Sequence, residues 1–152
     1  MKQILIVEDD AWQADWIEKE IKRHFTNVRI EKVATEYDFR IKLENLKENP
    51  PNIILLDVML RWTDPSPNII PAPEDVREEG LFYAGFRCER LLREASETEV
   101  IPVIFYTVLE KDDIQDRLKK YESSNTYYIP KDANSVLSLV NLIYKILYIS
   151  DT

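Results

Sequence analysis

The sequence predicts an α/β fold in which helices cover both faces of a parallel sheet. Three observations carry this reading. Short, unbroken apolar runs at Gln3 to Val7, Ile53 to Leu56 and Ile101 to Tyr106 read as strands buried on both faces. Segments of helical period follow such runs, so strand and helix alternate five times without an internal repeat or linker. The runs also end in polar, reactive residues, namely Glu8-Asp9, Asp57 and Thr107, with Lys131 after a shorter fourth run. In open α/β sheets the carboxyl edge of the strands is where ligands and chemistry collect.

Taken in order, Gln3 to Val7 is the first strand. Ala14, Ile17, Ile21 and Phe25 then recur at steps of three, four and four, one face of a helix over Ala11 to Phe25 with Asp10 as N-cap. Trp12 and Trp16 lie one turn apart on the flank of that face, which places them at the rim of the core. Val28 to Val33 alternates and reads as a strand near an edge. Glu36 to Leu46 is a helix with Phe39, Leu43 and Leu46 inward, stopped by Asn49-Pro50-Pro51.

The central strand, Ile53 to Leu56, delivers Asp57. Arg61 to Glu79 then breaks the rhythm, holding four of the eight prolines together with Trp62, Ile69 and Ile70. Strand-to-helix loops usually take about 2–6 residues, so residues 61–84 form a long insertion, either a surface loop or a packed lid. Its Pro73 to Glu79 stretch suits one helical turn with proline at the first position.

Helical period returns from Leu81 or Gly85 to Ala95, with Cys88, Leu91, Leu92 and Ala95 on one side. Ile101 to Tyr106 is the fourth strand. Lys111 to Glu122 is a charged helix with Ile114, Leu118 and Tyr121 to bury. Thr126 to Ile129 is the last strand. Asp132 is placed to cap the final helix, Ala133 to Ile149, whose Val136, Leu139, Val140, Ile143 and Leu147 face inward. Leu137, Tyr144 and Tyr148 form a second apolar stripe, more than one buried face requires.

Composition narrows the function. The 152 residues, 45% hydrophobic and 32% charged, suit one globular domain. No run has the length of a membrane span and the N-terminus lacks a signal-peptide core. Cys88 is the one cysteine, so no internal disulfide forms, and a cytoplasmic location is expected. A net charge of −8 provides no basic surplus for nucleic acid. The two glycines, Gly80 and Gly85, cannot build a Walker loop or a dinucleotide fingerprint.

Glu8, Asp9, Asp57, Thr107 and Lys131 would meet on one edge of the sheet. Crowded carboxylates raise one another's pKa unless a cation neutralises them. A hard divalent ion such as Mg²⁺ takes one or two carboxylates and keeps positions open for phosphate oxygens. With a hydroxyl and a lysine added, the set suits phosphoryl transfer to a carboxylate.

These residues resemble a known family, the response-regulator receiver domains of bacterial two-component signalling. The resemblance rests on Ile4 to Asp10 (ILIVEDD), Ile53 to Leu60 (IILLDVML), Ile101 to Thr107 (IPVIFYT) and Tyr127 to Lys131 (YYIPK), with Gly85 and Leu92-Arg93 matching the third helix. It implies a doubly wound sheet of order 2-1-3-4-5. It also implies Asp57 as phosphoacceptor, with Mg²⁺ held by Glu8, Asp9, Asp57 and the backbone carbonyl of Met59, Asp9 being the more direct acidic ligand. Thr107 and Lys131 would bind the phosphoryl group, and Tyr128 matches the switch aromatic.

Three departures stand out. Val108 occupies a position where the family has a small residue, Asp132 replaces a proline preceded by a cis bond, and the insertion leaves directly beside Asp57. A cis bond before a non-proline residue costs about 2.5–4 kcal/mol, so the peptide is trans or strained.

The resemblance implies a regulatory domain, not an enzyme beyond its own phosphorylation and dephosphorylation. It would receive phosphate from a histidine kinase or phosphotransfer protein. With the last helix ending at the end of the chain, it is expected to stand alone and signal to a downstream protein target by contact, without nucleic acid or membrane. Trp12 and Trp16 would dock the donor, and the second stripe of the last helix would form a homodimer. The alternatives are an unphosphorylated pseudo-receiver scaffold and, last, an aspartate-type phosphohydrolase, which ordinarily wants a second aspartate where Met59 stands.

Overall fold

A computed structural model describes residues 1–65, 70–120 and 125–149. Ile69, Tyr121 and Glu122, which the sequence reading placed in the insertion and at the end of the charged helix, lie outside the described residues. The strands are β1 (Lys2–Val7), β2 (Val28–Val33), β3 (Ile53–Leu56), β4 (Val103–Thr107) and β5 (Thr126–Pro130). The helices are α1 (Ala11–His24), α2 (Glu36–Glu48), α3 (Glu74–Glu79), α4 (Ala84–Arg93), α5 (Lys111–Lys120) and α6 (Ser135–Tyr148). A 3-10 turn at Leu81–Tyr83 leads into α4.

All strand pairs are parallel and the order is β2-β1-β3-β4-β5. Side chains alternate across the pleat. Leu5, Val7, Ile54, Leu56 and Phe105 therefore pack with Phe39, Phe86, Cys88 and Leu92 under α2 and α4. Ile4, Ile6, Ile53, Leu55 and Ile104 pack on the other face with Ile17 and Ile21 of α1 and with Leu139 and Ile143 of α6. The register aligns Val7 with Leu56, Leu56 with Phe105, and Thr107 with Pro130. The residues that leave these strands, Glu8, Asp57 and Lys131, thus emerge on one edge. The chain reverses direction of growth between β1 and β3, the switch point where doubly wound sheets open a crevice.

Side-chain caps fix the starts of α1 and α2. Asp10 caps α1, its carboxylate accepting the Trp12 and Gln13 amides at 2.9 and 3.2 Å. Thr35 caps α2 by accepting the Asp38 amide at 3.1 Å. Asp132 does not cap the last helix, because α6 starts later, with Asn134 at its N-cap. Its carboxylate instead accepts the Asn134 amide at 2.8 Å and closes the turn before the helix. The Lys131–Asp132 peptide is trans, like every described peptide bond.

The insertion is packed rather than loose over its described part, and it carries a helix of its own. Pro73 precedes α3 as its N-cap residue, one position earlier than expected. The Arg61 and Trp62 carbonyls accept the Glu36 and Tyr37 amides at 3.0 and 2.9 Å, satisfying donors that a helix N-terminus leaves open. Trp62 lies edge-on to Tyr37, with centroids 5.5 Å apart, and donates its indole N–H to the Ile70 carbonyl at 3.1 Å. From α3, Asp75 pairs with Arg40 and Arg90, and Glu79 pairs with Arg87 and Arg117. Ile70 itself is exposed.

Beneath this strap lies an ion pair that the sequence reading missed. Arg87 is 1% exposed, and its Nε and Nη2 meet the two carboxylate oxygens of the buried Glu36 at 2.8 and 2.7 Å. Such a two-point match satisfies both charges inside the core. Gly80 turns the chain between α3 and the 3-10 turn at φ 80° and ψ −180°, a conformation open almost only to glycine. No helix among the described residues is long and apolar enough to cross a membrane.

Candidate functional site

Each site residue is placed by a ladder bond that continues past its strand. The Glu8 amide donates to Val33 O, the Asp57 amide to Val7 O and the Lys131 amide to Thr107 O, at 3.0, 3.0 and 2.7 Å. Three side chains converge as a result. The Lys131 ammonium donates to Glu8 Oε1, to Gln13 Oε1 at 2.7 Å and to Asp57 Oδ2 at 3.0 Å. Asp57, 8% exposed, has its other oxygen, Oδ1, accepting the Val58 amide at 2.7 Å and the Met59 amide at 3.4 Å.

The electrostatics follow from burial and proximity. Burial, reinforced by the Asp57 charge, pushes the Glu8 carboxyl from 4.5 up to about 7 and outweighs the opposing pull of Lys131. Burial works against the Lys131 ammonium as well, but Asp57 and Glu8 more than offset it and hold its pKa above the ordinary lysine value. Lys131 is thus the cation that makes two neighbouring carboxylates tolerable.

Asp9 is turned the other way. Its Oδ2 accepts the Arg61 amide at 3.0 Å, and the Arg61 guanidinium donates to the Asp9 carbonyl at 3.1 Å. Among the described residues no group of three or more His, Cys, Asp or Glu stands in an arrangement that holds a metal. The donor chemistry of Asp9, Asp57 and the Met59 carbonyl nonetheless suits a hard cation, which needs only one or two carboxylates when waters and phosphate oxygens complete its shell.

Thr107 is fully buried at the end of β4, and its hydroxyl accepts the Leu109 amide at 3.3 Å. Tyr128, half-buried, donates its hydroxyl to the Leu109 carbonyl at 2.6 Å. Thr107 and Tyr128 therefore grip the same residue of the loop that leads into α5.

Trp12 and Trp16 are not core rim. They are 88% and 45% exposed, because Ala14, Ile17 and Ile21 already fill the inward face of α1, with Phe25 buried just past its end. Trp16 borders a groove of about 280 Å³ with Gln13, Tyr106, Val108, Lys131 and Asp132. Gln13 was not foreseen, and neither was Arg61. Gln13 sits at a helix start where its amide reads as a capping group, and Arg61 opens a segment without periodicity.

No protein-family model matches the chain, and no curated protein matches it by sequence. Solved structures do. A signal receiver domain of a DNA-binding response regulator from Colwellia psychrerythraea 34H superposes with a TM-score of 0.68 at 21% identity, over 97% of this chain and 98% of that one. The Mn²⁺-bound form of the response regulator Rcp1 has a TM-score of 0.68 at 17% identity, over 100% of this chain and 98% of the other. A signal receiver domain of a two-component histidine kinase from Clostridium thermocellum has a TM-score of 0.70 at 15% identity, over 97% and 98%. The chain carries, over nearly its whole length, the fold of response-regulator receiver domains.

Proposed function

We propose that this protein is a phosphorelay receiver in which Asp57 accepts a phosphoryl group from a histidine kinase or phosphotransfer protein. The observation that carries this reading is the shared ammonium of Lys131 between Glu8 and Asp57 at the β1/β3 switch point. An Asp57 carboxylate oxygen attacks the phosphorus of a phosphohistidine. The P–O bond forms as the P–N bond breaks, and the imidazole leaves and takes a proton from solvent. Lys131 then pairs with the phosphoryl oxygens, and the Thr107 hydroxyl turns from Leu109 toward them. Asp9, Asp57 and the Met59 carbonyl, with Glu8 beside them, would hold Mg²⁺, which would supply neutralisation of the phosphoryl charge. The divalent ion named for the similar Rcp1 structure supports that choice of cofactor class.

The exposed Trp12 and Trp16 suit a docking face for the phosphodonor. With a net charge of −8, output goes to a protein target rather than nucleic acid. A homodimer through α6 is carried by exposed Leu137, Tyr144 and Tyr148, although Tyr148 also stacks on Phe25 of its own chain at 6.4 Å. Sedimentation of wild type and Tyr144→Glu tests that assembly.

The phosphoacceptor is tested by intact mass after acetyl phosphate and Mg²⁺. One phosphoryl group should be added, and it should be lost in Asp57→Asn and on omitting the divalent ion. Unchanged mass with every active donor and metal would leave an unphosphorylated scaffold.

A further inference from the structure

The sequence Asp10-Ala11-Trp12-Gln13 has the form of a capping box, in which the third helical residue reaches back to the N-cap amide. The structure breaks that pattern. The Asp10 amide is taken by Glu8 Oε2 at 3.2 Å, so the Gln13 carboxamide is released from capping. Its oxygen accepts from Lys131 Nζ at 2.7 Å, while its nitrogen keeps only a long contact of 3.5 Å to Asp10 Oδ2.

An ammonium has three N–H donors, and Lys131 uses them on Glu8, Gln13 and Asp57. Two of the acceptors are carboxylates and the third is neutral. A neutral acceptor fixes the third donor without placing another negative charge where an anionic phosphodonor must arrive. When a phosphoryl group covers Asp57, one donor must leave the carboxylate for a phosphoryl oxygen. The other two, on Glu8 and Gln13, keep Nζ in place. The Tyr106 ring, 5.7 Å from Nζ, lines the same side.

The geometry points to Gln13 as the positioning residue of Lys131: its carboxamide oxygen holds the ammonium at the place where it meets the phosphoryl group on Asp57. This assignment rests on the phosphoacceptor reading for its purpose, but its physical content, an anchored lysine, is separable from it.

The test compares Gln13→Met, Gln13→Glu and wild type. Methionine keeps the length and helix preference of glutamine but removes the acceptor. With acetyl phosphate and Mg²⁺, Gln13→Met should lower the maximal rate of Asp57 phosphorylation about tenfold, the scale of one hydrogen bond to a charged group. Half-saturation by the donor should hardly move, because the bond matters most as phosphoryl charge develops. Gln13→Glu restores an acceptor and should recover most of the maximal rate, while its added charge raises the donor concentration needed. A merely structural role would not produce that split. Exchange of the Lys131 Nζ protons, followed by ¹⁵N NMR without any donor, should quicken in Gln13→Met and recover in Gln13→Glu.

Wild-type rate and exchange in Gln13→Met would overturn the assignment, and so would a Gln13→Glu variant no better than Gln13→Met. A wild type that no donor phosphorylates removes the receiver function, while the exchange comparison still decides the anchoring.

Discussion

Gly85 gives the most direct test of how the insertion and α4 are seated beside Asp57. Its amide donates to the Val58 carbonyl at 2.8 Å. A Cβ at this position would lie 2.7 Å from Val58 Cα and 3.1 Å from the Asp57 carbonyl carbon, and closer still to the carbonyl oxygen. These are backbone atoms and cannot rotate away. Ordinary carbon contacts begin near 3.5 Å, so Gly85→Ala must lift the start of α4 by roughly 1 Å. That stretches the Gly85–Val58 bond beyond hydrogen-bond range. Overpacking costs about 1–3 kcal/mol and the lost bond about 1, offset by roughly 0.5–1 from alanine's better helix preference and stiffer unfolded chain. The net loss is about 1–3.5 kcal/mol, a fall on the order of 1 M in the urea midpoint at a typical slope for small proteins. Because the disturbed atoms carry the Asp57 carboxylate, phosphoryl acceptance should fall as well, even under conditions where the variant is fully folded. An unchanged midpoint and slope would refute the packing argument.

Three other outcomes are expected. Arg87→Met leaves the buried Glu36 carboxylate with Arg40 as its one remaining cation, at 3.0 Å from Oε2, and should cost about 3 kcal/mol, the low end for breaking a buried pair, much of it recovered in Arg87→Met/Glu36→Leu; a double variant as unstable as the single would count against the pair. Burial raises the Glu89 carboxyl above 4.5 despite Arg93 and Thr126, so the folded chain holds this proton more tightly than the unfolded chain does. Its contribution to stability is full below the ordinary value and declines as pH rises through the raised one; Glu89→Gln should flatten that part of the urea-midpoint profile, and parallel profiles would exclude it. Trp16→Ala, which removes a side chain about half covered, should cost no more than about 1–2 kcal/mol and slow transfer from the cognate kinase while acetyl phosphate labelling persists; equal loss with both donors would deny a docking role.

The strands and the carboxyl edge were legible because buried parallel strands read as continuous apolar runs, and each run ends abruptly at a residue such as Glu8, Asp57 or Thr107. Helix faces such as Ala14, Ile17 and Ile21 were legible for the same local reason. What escaped depends on partners distant in the chain. Arg87 reads as a surface charge on a helix, and only the fold brings Glu36 against it. Gln13 reads as a cap, and only the neighbouring Glu8 frees it for Lys131. The tryptophans were misplaced because burial tendency is an average, whereas α1 had apolar residues enough without them. Asp132 showed the limit of capping rules, since the turn it closes delays the helix by two residues.

The bracing of α5 carries a consequence for local opening. Among its described residues Ile114 alone is buried, with Leu118 half-covered, whereas α6 buries Leu139, Val140, Ile143 and Leu147. At about 1.5–3 kcal/mol for each large apolar side chain, the sheet holds α5 far less firmly than α6. Part of the difference is made up by the strap, because Arg117 pairs with Glu79 at 3.2 Å and lies 4.0 Å over the Tyr83 ring. The amides of α5 should therefore exchange with solvent deuterium at a lower opening free energy than those of α6. Whatever loosens Glu79 or Tyr83 should speed that exchange, so the protection of α5 becomes a gauge of the insertion read from the opposite side of the joint.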